Sequence, residues 1–260
     1  MYSNIAQLLQ LAKDKPLYEV IMENEAELSG KTVGEVWQKF CSRWEVMQAS
    51  SHKALASPQK MVGDLIRGQS AKQESYSGGS TLCGISINHM MAMALSSSEV
   101  NASMGRICAA PTAGACGILP AVLSVSANNL ALSSDDIIKG LIVAAGFGAI
   151  ITKNATVSGA EGGCQAECGV AAAMAAAGAA SMAGGTAAVC ANACALALIN
   201  CMGLICDPVA GLVQLPCSFR NASQSVNALL SADLALAGQC SVIDPDEVVE
   251  SMYRVGKKLP

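Results

Sequence analysis

Residues 168–206, CGVAAAMAAAGAASMAGGTAAVCANACALALINCMGLIC, form an uncharged run between Glu167 and Asp207 made chiefly of Ala, Gly, Cys and Ser. A run of this kind has to be buried, in lipid or in protein, and its length alone admits a transmembrane hairpin. The composition argues otherwise, because Leu and Ile are few and no Trp or Tyr stands at either end as an interfacial anchor. Small side chains let helix axes approach closely, so the run reads as the central helices of a tightly packed bundle. The rest of the chain agrees: 52% of its 260 residues are hydrophobic and 14% are charged, against about 25% charged in an ordinary soluble domain. That length suits a single core, so one domain is expected over residues 1–260. A net charge of −4 without any long basic stretch excludes a nucleic-acid partner.

The flanking segments also read as helical. Val33, Val36, Trp37, Phe40, Trp44 and Met47 recur at three and four, which predicts an amphipathic helix over 32–48 with both tryptophans on one face. A second helix is expected after Pro58, carrying Met61, Leu65 and Ile66, with the polar stretch GQSAKQESYSGGS following as a loop. Ser133-Ser134-Asp135-Asp136 is an N-terminal cap for IIKGLIVAAGFGAIITK, whose apolar positions run nearly all round, as in a buried helix. Asp244-Pro245-Asp246-Glu247 starts a last helix with proline and acids in its first turn. Period-two strand patterns are absent, so the expected fold is all-α, a single helical domain around an Ala/Gly-rich core. The N-terminus lacks a basic start followed by an apolar stretch; the expectation is a cytoplasmic chain whose cysteines are reduced.

Twelve cysteines stand in the sequence, and no two are separated by two residues, which excludes a zinc ribbon or a CxxC redox pair. Cys164 and Cys168 in EGGCQAEC are four apart, as are Cys190 and Cys194, and would share a helix face. Reduced cysteine is a small hydrophobe, so pairing by itself means packing as readily as ligation, and Cys190, Cys194 and Cys201 read as core. Cys164, Cys206 and Cys217 differ, each standing beside Gly or Pro where an element ends: Gly162-Gly163, Asp207-Pro208 and Pro216. Three thiolates gathered from such turns suit an iron–sulfur cluster with one open iron. Burial is the alternative at each.

Two loops are candidates for ligand binding. Ser77-Gly78-Gly79-Ser80-Thr81 could form a nest of backbone N–H groups for an anion, although it matches neither a P-loop nor GxGxxG. Residues 109–117, AAPTAGACG, would set Thr112 near a sharp turn; ordinary turn chemistry accounts equally well for both loops. Of the two histidines, His52 lies in a polar stretch, whereas His89 is either a base or a hydrogen-bonded core residue, and the core role is preferred.

Read together, GRICAAPTAGACGILPAVL, KNATVSGAEGGCQAECGVAAAMAAAG and GLICDPVAGLVQLPCSFRNA closely resemble the α subunit or α domain of the bacterial iron–sulfur-dependent L-serine dehydratases, in order from about Ser77 to about Ala232. The resemblance implies a lyase of amino-acid degradation and gluconeogenesis that converts L-serine to pyruvate and ammonia. It implies a [4Fe-4S] cluster held by Cys164, Cys206 and Cys217, the open iron acting as a Lewis acid. Cys168 replaces a residue that is usually aliphatic in the family, in keeping with packing. The family's β half, with its Ser-Ser-Ser-His-Thr motif, is absent, and Ser50-Ser51-His52-Lys53 is too short a likeness, so a separate β subunit is expected as partner and no membrane is. Ser77, Gly78, Gly79, Thr112, Asn154 and Ser158 are nominated to hold the substrate. The base is left open among the β chain, a water and His89; Glu161 and Glu167 either orient the cluster loop or move protons.

Three other readings stand beside this one. The first is a related iron–sulfur lyase acting on another small amino acid, such as a cysteine desulfidase. The second is a pyridoxal-phosphate dehydratase using Lys72 or Lys153, and the third a non-catalytic helical scaffold.

Overall fold

The computed structural model describes residues 1–260 and contains only helices and loops. Twelve α-helices follow in order: α1 (Ile5–Leu11), α2 (Leu17–Ser29), α3 (Val33–Ala56), α4 (Gln69–Ser77), α5 (Gly84–Ala102), α6 (Ile118–Leu130), α7 (Ser134–Asn154), α8 (Gly159–Gly162), α9 (Val170–Met182), α10 (Ala187–Ile199), α11 (Cys217–Leu236) and α12 (Pro245–Gly256). A π-helical turn, Gln165–Gly169, leads into α9, and a 3₁₀ turn, Val209–Gly211, precedes α11. The all-α expectation is therefore met.

The uncharged run supplies α9 and α10, which form the centre. Every residue from Val170 to Ala180 is buried, so α9 has no solvent face, while α6, α7, α10 and α11 pack around it. Gly184, with φ of +81°, turns the chain between the two helices. No helix is long and apolar enough to cross a membrane. The small residues act as the sequence suggests: a Cβ added to Gly178 would lie 2.8 Å from the Gly140 carbonyl oxygen, so α7 and α9 cross nearly backbone to backbone. Gly178→Val should cost about 2–3 kcal/mol through overpacking, read as a lower urea midpoint at unchanged m-value.

Helix starts fall where their signals stand. Thr32 and Ser133 each form a reciprocal capping box, with Glu35 and Asp136, and Asp244 caps α12 with Pro245 at its first position. The α3 stripe buries Val36, Phe40, Trp44 and Met47, with Trp37 half-buried beside them. The helix expected after Pro58 does not form. Gly63, Asp64 and Gly68 all take positive φ, so residues 58–68 are irregular, and the polar stretch supplies α4 instead. That helix is held by polar contacts: Ser70 donates its N–H to the fully buried Glu99 carboxylate at 2.8 Å and its hydroxyl to the Ala92 carbonyl at 2.8 Å.

Candidate active site

EGGCQAEC folds as a junction, and its two glycines are required by close approach. Gly163 has φ of +77°, and a Cβ there would lie 2.6 Å from the Leu204 carbonyl oxygen; a Cβ on Gly256 of α12 would lie 2.8 Å from the Gly162 Cα. Gln165 locks the turn, donating its N–H to the Leu204 carbonyl at 3.1 Å and its side-chain amide to the Met252 carbonyl at 2.9 Å, and accepting from Gly203 N–H at 2.9 Å. These bonds draw residues 203–206 against the start of the π turn. Such turns insert an extra residue into a helix and are often found at functional sites.

Around this junction gather the three cysteines of the turns. Cys164 is buried immediately before the π turn, Cys206 is exposed in the irregular segment after α10, and Cys217 is half-buried at the first position of α11. Cys164 is held down to about 7, first by the neighbouring Cys168 thiol and then by the Arg220 guanidinium, despite burial acting the other way. Cys217 is pushed up to about 11, first by burial and then by the negative charges of Cys164, Glu167 and Cys206. Cys206 is raised by burial, then by Glu167 and Cys164. The three thiols therefore lie in one another's field, with one guanidinium among them. Cys190, Cys194 and Cys201 are core, each pushed to about 12 by burial, and all twelve thiols are free.

Arg220 holds the arrangement together. Its side chain is 15% exposed, pairs with Asp207 at 2.5 Å and donates to the Ile205 carbonyl at 3.0 Å, binding the segment beside Cys206 to α11. Asn221 does the same for the 109–117 loop: it accepts from Gly117 N–H at 2.9 Å and donates to the Gly114 carbonyl at 2.7 Å and the Cys217 carbonyl at 2.9 Å. The loop is pinned from its other side too, since a Cβ on Gly117 would lie 2.3 Å from the Ala94 carbonyl oxygen.

Glu167 lies between these parts. Thr112 donates its hydroxyl to Glu167 Oε1 at 2.6 Å. A Cβ on Gly114 would lie 2.7 Å from that oxygen, and one on Gly159 would lie 2.6 Å from Oε2 and 3.4 Å from Cys206 Sγ. Two glycines thus leave a cradle filled by one carboxylate, beside an exposed thiol.

Not every nominated residue is in this group. Thr112 belongs to it, and Ser158, at the N-terminal cap of α8, is next to Gly159 with its side chain capping no N–H. Asn154 is elsewhere employed, donating to the Ser3 carbonyl at 2.7 Å and the Ile150 carbonyl at 3.0 Å. Ser77, Gly78 and Gly79 end α4 rather than forming a nest; the Ser77 hydroxyl returns to the Glu74 carbonyl at 2.7 Å. This is the carbonyl end of a helix, where the dipole disfavours an anion. His89 bonds through Nδ1 to Glu74 at 2.7 Å, both half-exposed. No hydrogen bond or ion pair joins Ser77 or His89 to Thr112, Glu167 or the three cysteines. Glu161 accepts from the Thr156 hydroxyl at 2.8 Å, bracing the loop before Cys164.

No group of three His, Cys, Asp or Glu side chains is set to hold a single metal ion. A cuboidal cluster makes a different demand, because each thiolate binds a separate iron and the ligands stand further apart. The donor set fits that demand: three thiols on separate segments, one already near neutral in its acidity, and a guanidinium to offset their charge.

Comparison with known proteins supplies the class to which this helical fold belongs. Residues 12–260 match the family model described as "Serine dehydratase alpha chain". The chain belongs to that family. It is 41% identical to the "Probable L-serine dehydratase, alpha chain" of Bacillus subtilis (strain 168), over 100% of this chain and 87% of that one. Against the "L-serine dehydratase, alpha chain" of Peptoniphilus asaccharolyticus it is 46% identical over 94% and 84%. It also resembles "L-serine dehydratase 1" of Escherichia coli (strain K12), at 39% identity over 92% of this chain but 54% of that longer protein.

Proposed function

We propose that the chain is the α subunit of an iron–sulfur-dependent L-serine dehydratase, a lyase converting L-serine to pyruvate and ammonia, with Cys164, Cys206 and Cys217 holding a [4Fe-4S] cluster. The observation that carries the reading is that Arg220 of α11, three residues after Cys217, ties the segment of Cys206 to α11 through Asp207 and Ile205 while Glu167, in the turn after Cys164, lies beside Cys206 across Gly159, in a family whose relatives are named for this reaction. The cluster would supply a Lewis acid at an open iron, able to polarise the serine hydroxyl as a leaving group.

The chain's own residues prepare the ground for that chemistry. Arg220 offsets the charge of the thiolates and keeps Cys206 and Cys217 in fixed relation through Asp207 and Ile205. Cys168 packs beside Cys164 as a buried neighbour. Glu167, supplied with a proton donor by Thr112, is positioned to accept the substrate ammonium or to take up a proton, and Ser158 offers a free hydroxyl at the same rim. Holding both ends of serine matters because its α-proton is weakly acidic and is removed only from a well-oriented substrate. Names that specify an α chain support a separate β chain as partner, and the longer Escherichia coli relative supports the same two-part organisation. The expected compartment is the cytoplasm.

Pyruvate formation from L-serine, L-threonine and L-cysteine, assayed anaerobically with the β chain supplied, tests the substrate. Serine should be turned over fastest; turnover of cysteine alone would replace this reading with a desulfidase. Glu167→Gln, which keeps shape and removes charge, should lower kcat/KM for serine about 100-fold, in the range typical of a lost acid–base group, while leaving iron content unchanged.

A further inference from the structure

Residues 58–68 form no helix and instead lie against the loop between Cys206 and Cys217. One buried carboxyl group holds both ends of this segment. Glu99 of α5 is fully buried and pairs with no cation. Its Oε2 accepts from Gln59 N–H at 3.2 Å and its Oε1 from Ser70 N–H at 2.8 Å, closing the segment like a clasp. The middle is held by Gln214, which is 1% exposed. Its Oε1 accepts from Leu65 N–H at 3.1 Å and its Nε2 donates to the Val62 carbonyl. Gly63, with φ of +76°, leaves room for Leu212; a Cβ there would lie 2.5 Å from Leu212 Cδ1.

The run of bonds closes beside a thiol. The Gln214 carbonyl accepts from Ser218 N–H at 2.9 Å, and the Ser218 hydroxyl shares a hydrogen bond of 3.0 Å with that of Ser98, the residue before Glu99. Ser218 directly follows Cys217. On the other side, Val213 Cγ1 lies 3.4 Å from where a Cβ of Gly114 would stand, at the cradle of Glu167. Helix α5, residues 58–68 and the Cys217 turn therefore form one circuit, and its side-chain members Ser98, Glu99, Gln214 and Ser218 are all buried.

We propose that Gln214 is a positioning residue for the thiol site: with Glu99 behind it, it fixes the loop from Cys206 to Cys217 so that Cys217 is presented for ligation. This rests on the assignment of Cys217 as a cluster ligand. Packing alone would not call for an amide here. Both polar ends of Gln214 are matched to a segment whose only buried side chain is Met61, so bonds rather than apolar area hold that segment. Buried polar networks that are fully satisfied specify one arrangement and make it rigid.

Gln214→Glu keeps the volume and turns the donor facing the Val62 carbonyl into an acceptor. Iodoacetamide labelling of the iron-free full chain, read cysteine by cysteine by mass spectrometry, should show Cys217 alkylated about tenfold faster than in the wild type, through local opening of the loop. Cys194, fully buried in α10 and outside the circuit, should label at the wild-type rate. Glu99→Gln, which turns an amide N–H toward one of the two N–H donors, should act in the same direction. After anaerobic reconstitution the cluster of Gln214→Glu, followed by its visible absorbance, should bleach in air about tenfold sooner, whereas Gly178→Val, weakened in the core, should bleach at the wild-type rate. Cys217 labelled no faster in Gln214→Glu than in the wild type, or Cys217 and Cys194 accelerated alike, would overturn the proposal. A wild-type chain that takes up no iron would instead end the cluster reading, and the labelling rates would still decide whether Gln214 holds Cys217.

Discussion

Cys164→Ala, Cys206→Ala and Cys217→Ala, prepared anaerobically, are each expected to lack iron and acid-labile sulfide and to show no serine dehydration above background. Each removes one of three thiols that the turns bring into a shared field, and the remaining two leave a second iron exposed. Cys168→Ala makes the discriminating control. Its thiol is 2% exposed and lies beside Cys164, so its loss removes little volume, and the chain should keep its cluster. Helical content by circular dichroism should be unchanged in all four, since Cys206 is exposed and Cys217 half-buried, and Cys→Ala at buried Cys164 and Cys168 removes only one sulfur from the core.

The second large effect is expected at Arg220. Arg220→Met takes the positive charge away from the thiols and leaves Asp207 without its partner, which favours protonated thiols over the ligating form. Turnover should fall at least about 100-fold with loss of iron, consistent with about 3 kcal/mol for removing one partner of a part-buried charged pair. Arg220→Lys should recover part of the iron content but less of the rate, because an ammonium cannot reproduce the guanidinium's contacts to Asp207 and Ile205. Unchanged iron in Arg220→Met would show that the guanidinium has no part in holding the site.

How much of this the sequence disclosed depends on the kind of signal. Caps are local, and Thr32, Ser133 and Asp244 all started helices where expected. The small-residue run is also local, and its meaning as tightly crossed helices follows from size alone. Residues 58–77 misled because the usual periodic cue fails there. Met61 is an isolated buried side chain on an irregular segment, while α4 is stabilised by Ser70 bonding to Glu99 and Ala92, contacts that no apolar stripe announces.

The site divides in the same way. Cys164, Cys206 and Cys217 were visible through the Gly and Pro beside them, which mark element ends. The work of Arg220 and Asn221 was not, since each acts across segments distant in sequence; Glu167 was nominated, but its bond from Thr112, 55 positions away, was not foreseen. Ser77-Gly78-Gly79 shows the limit of composition: glycines and hydroxyls suggest a nest, but the chain direction makes it a helix end with carbonyls outward. Cys168 was expected in the core and is buried there, 2% exposed.

The most direct test of the central claim is Mössbauer spectroscopy of the anaerobic, iron-57-loaded chain with its β partner, recorded without and with L-serine. The account predicts a [4Fe-4S] signal in which one iron changes its parameters on serine addition while the others do not. A cluster whose irons all ignore serine, or a chain that turns serine over without iron, would contradict it.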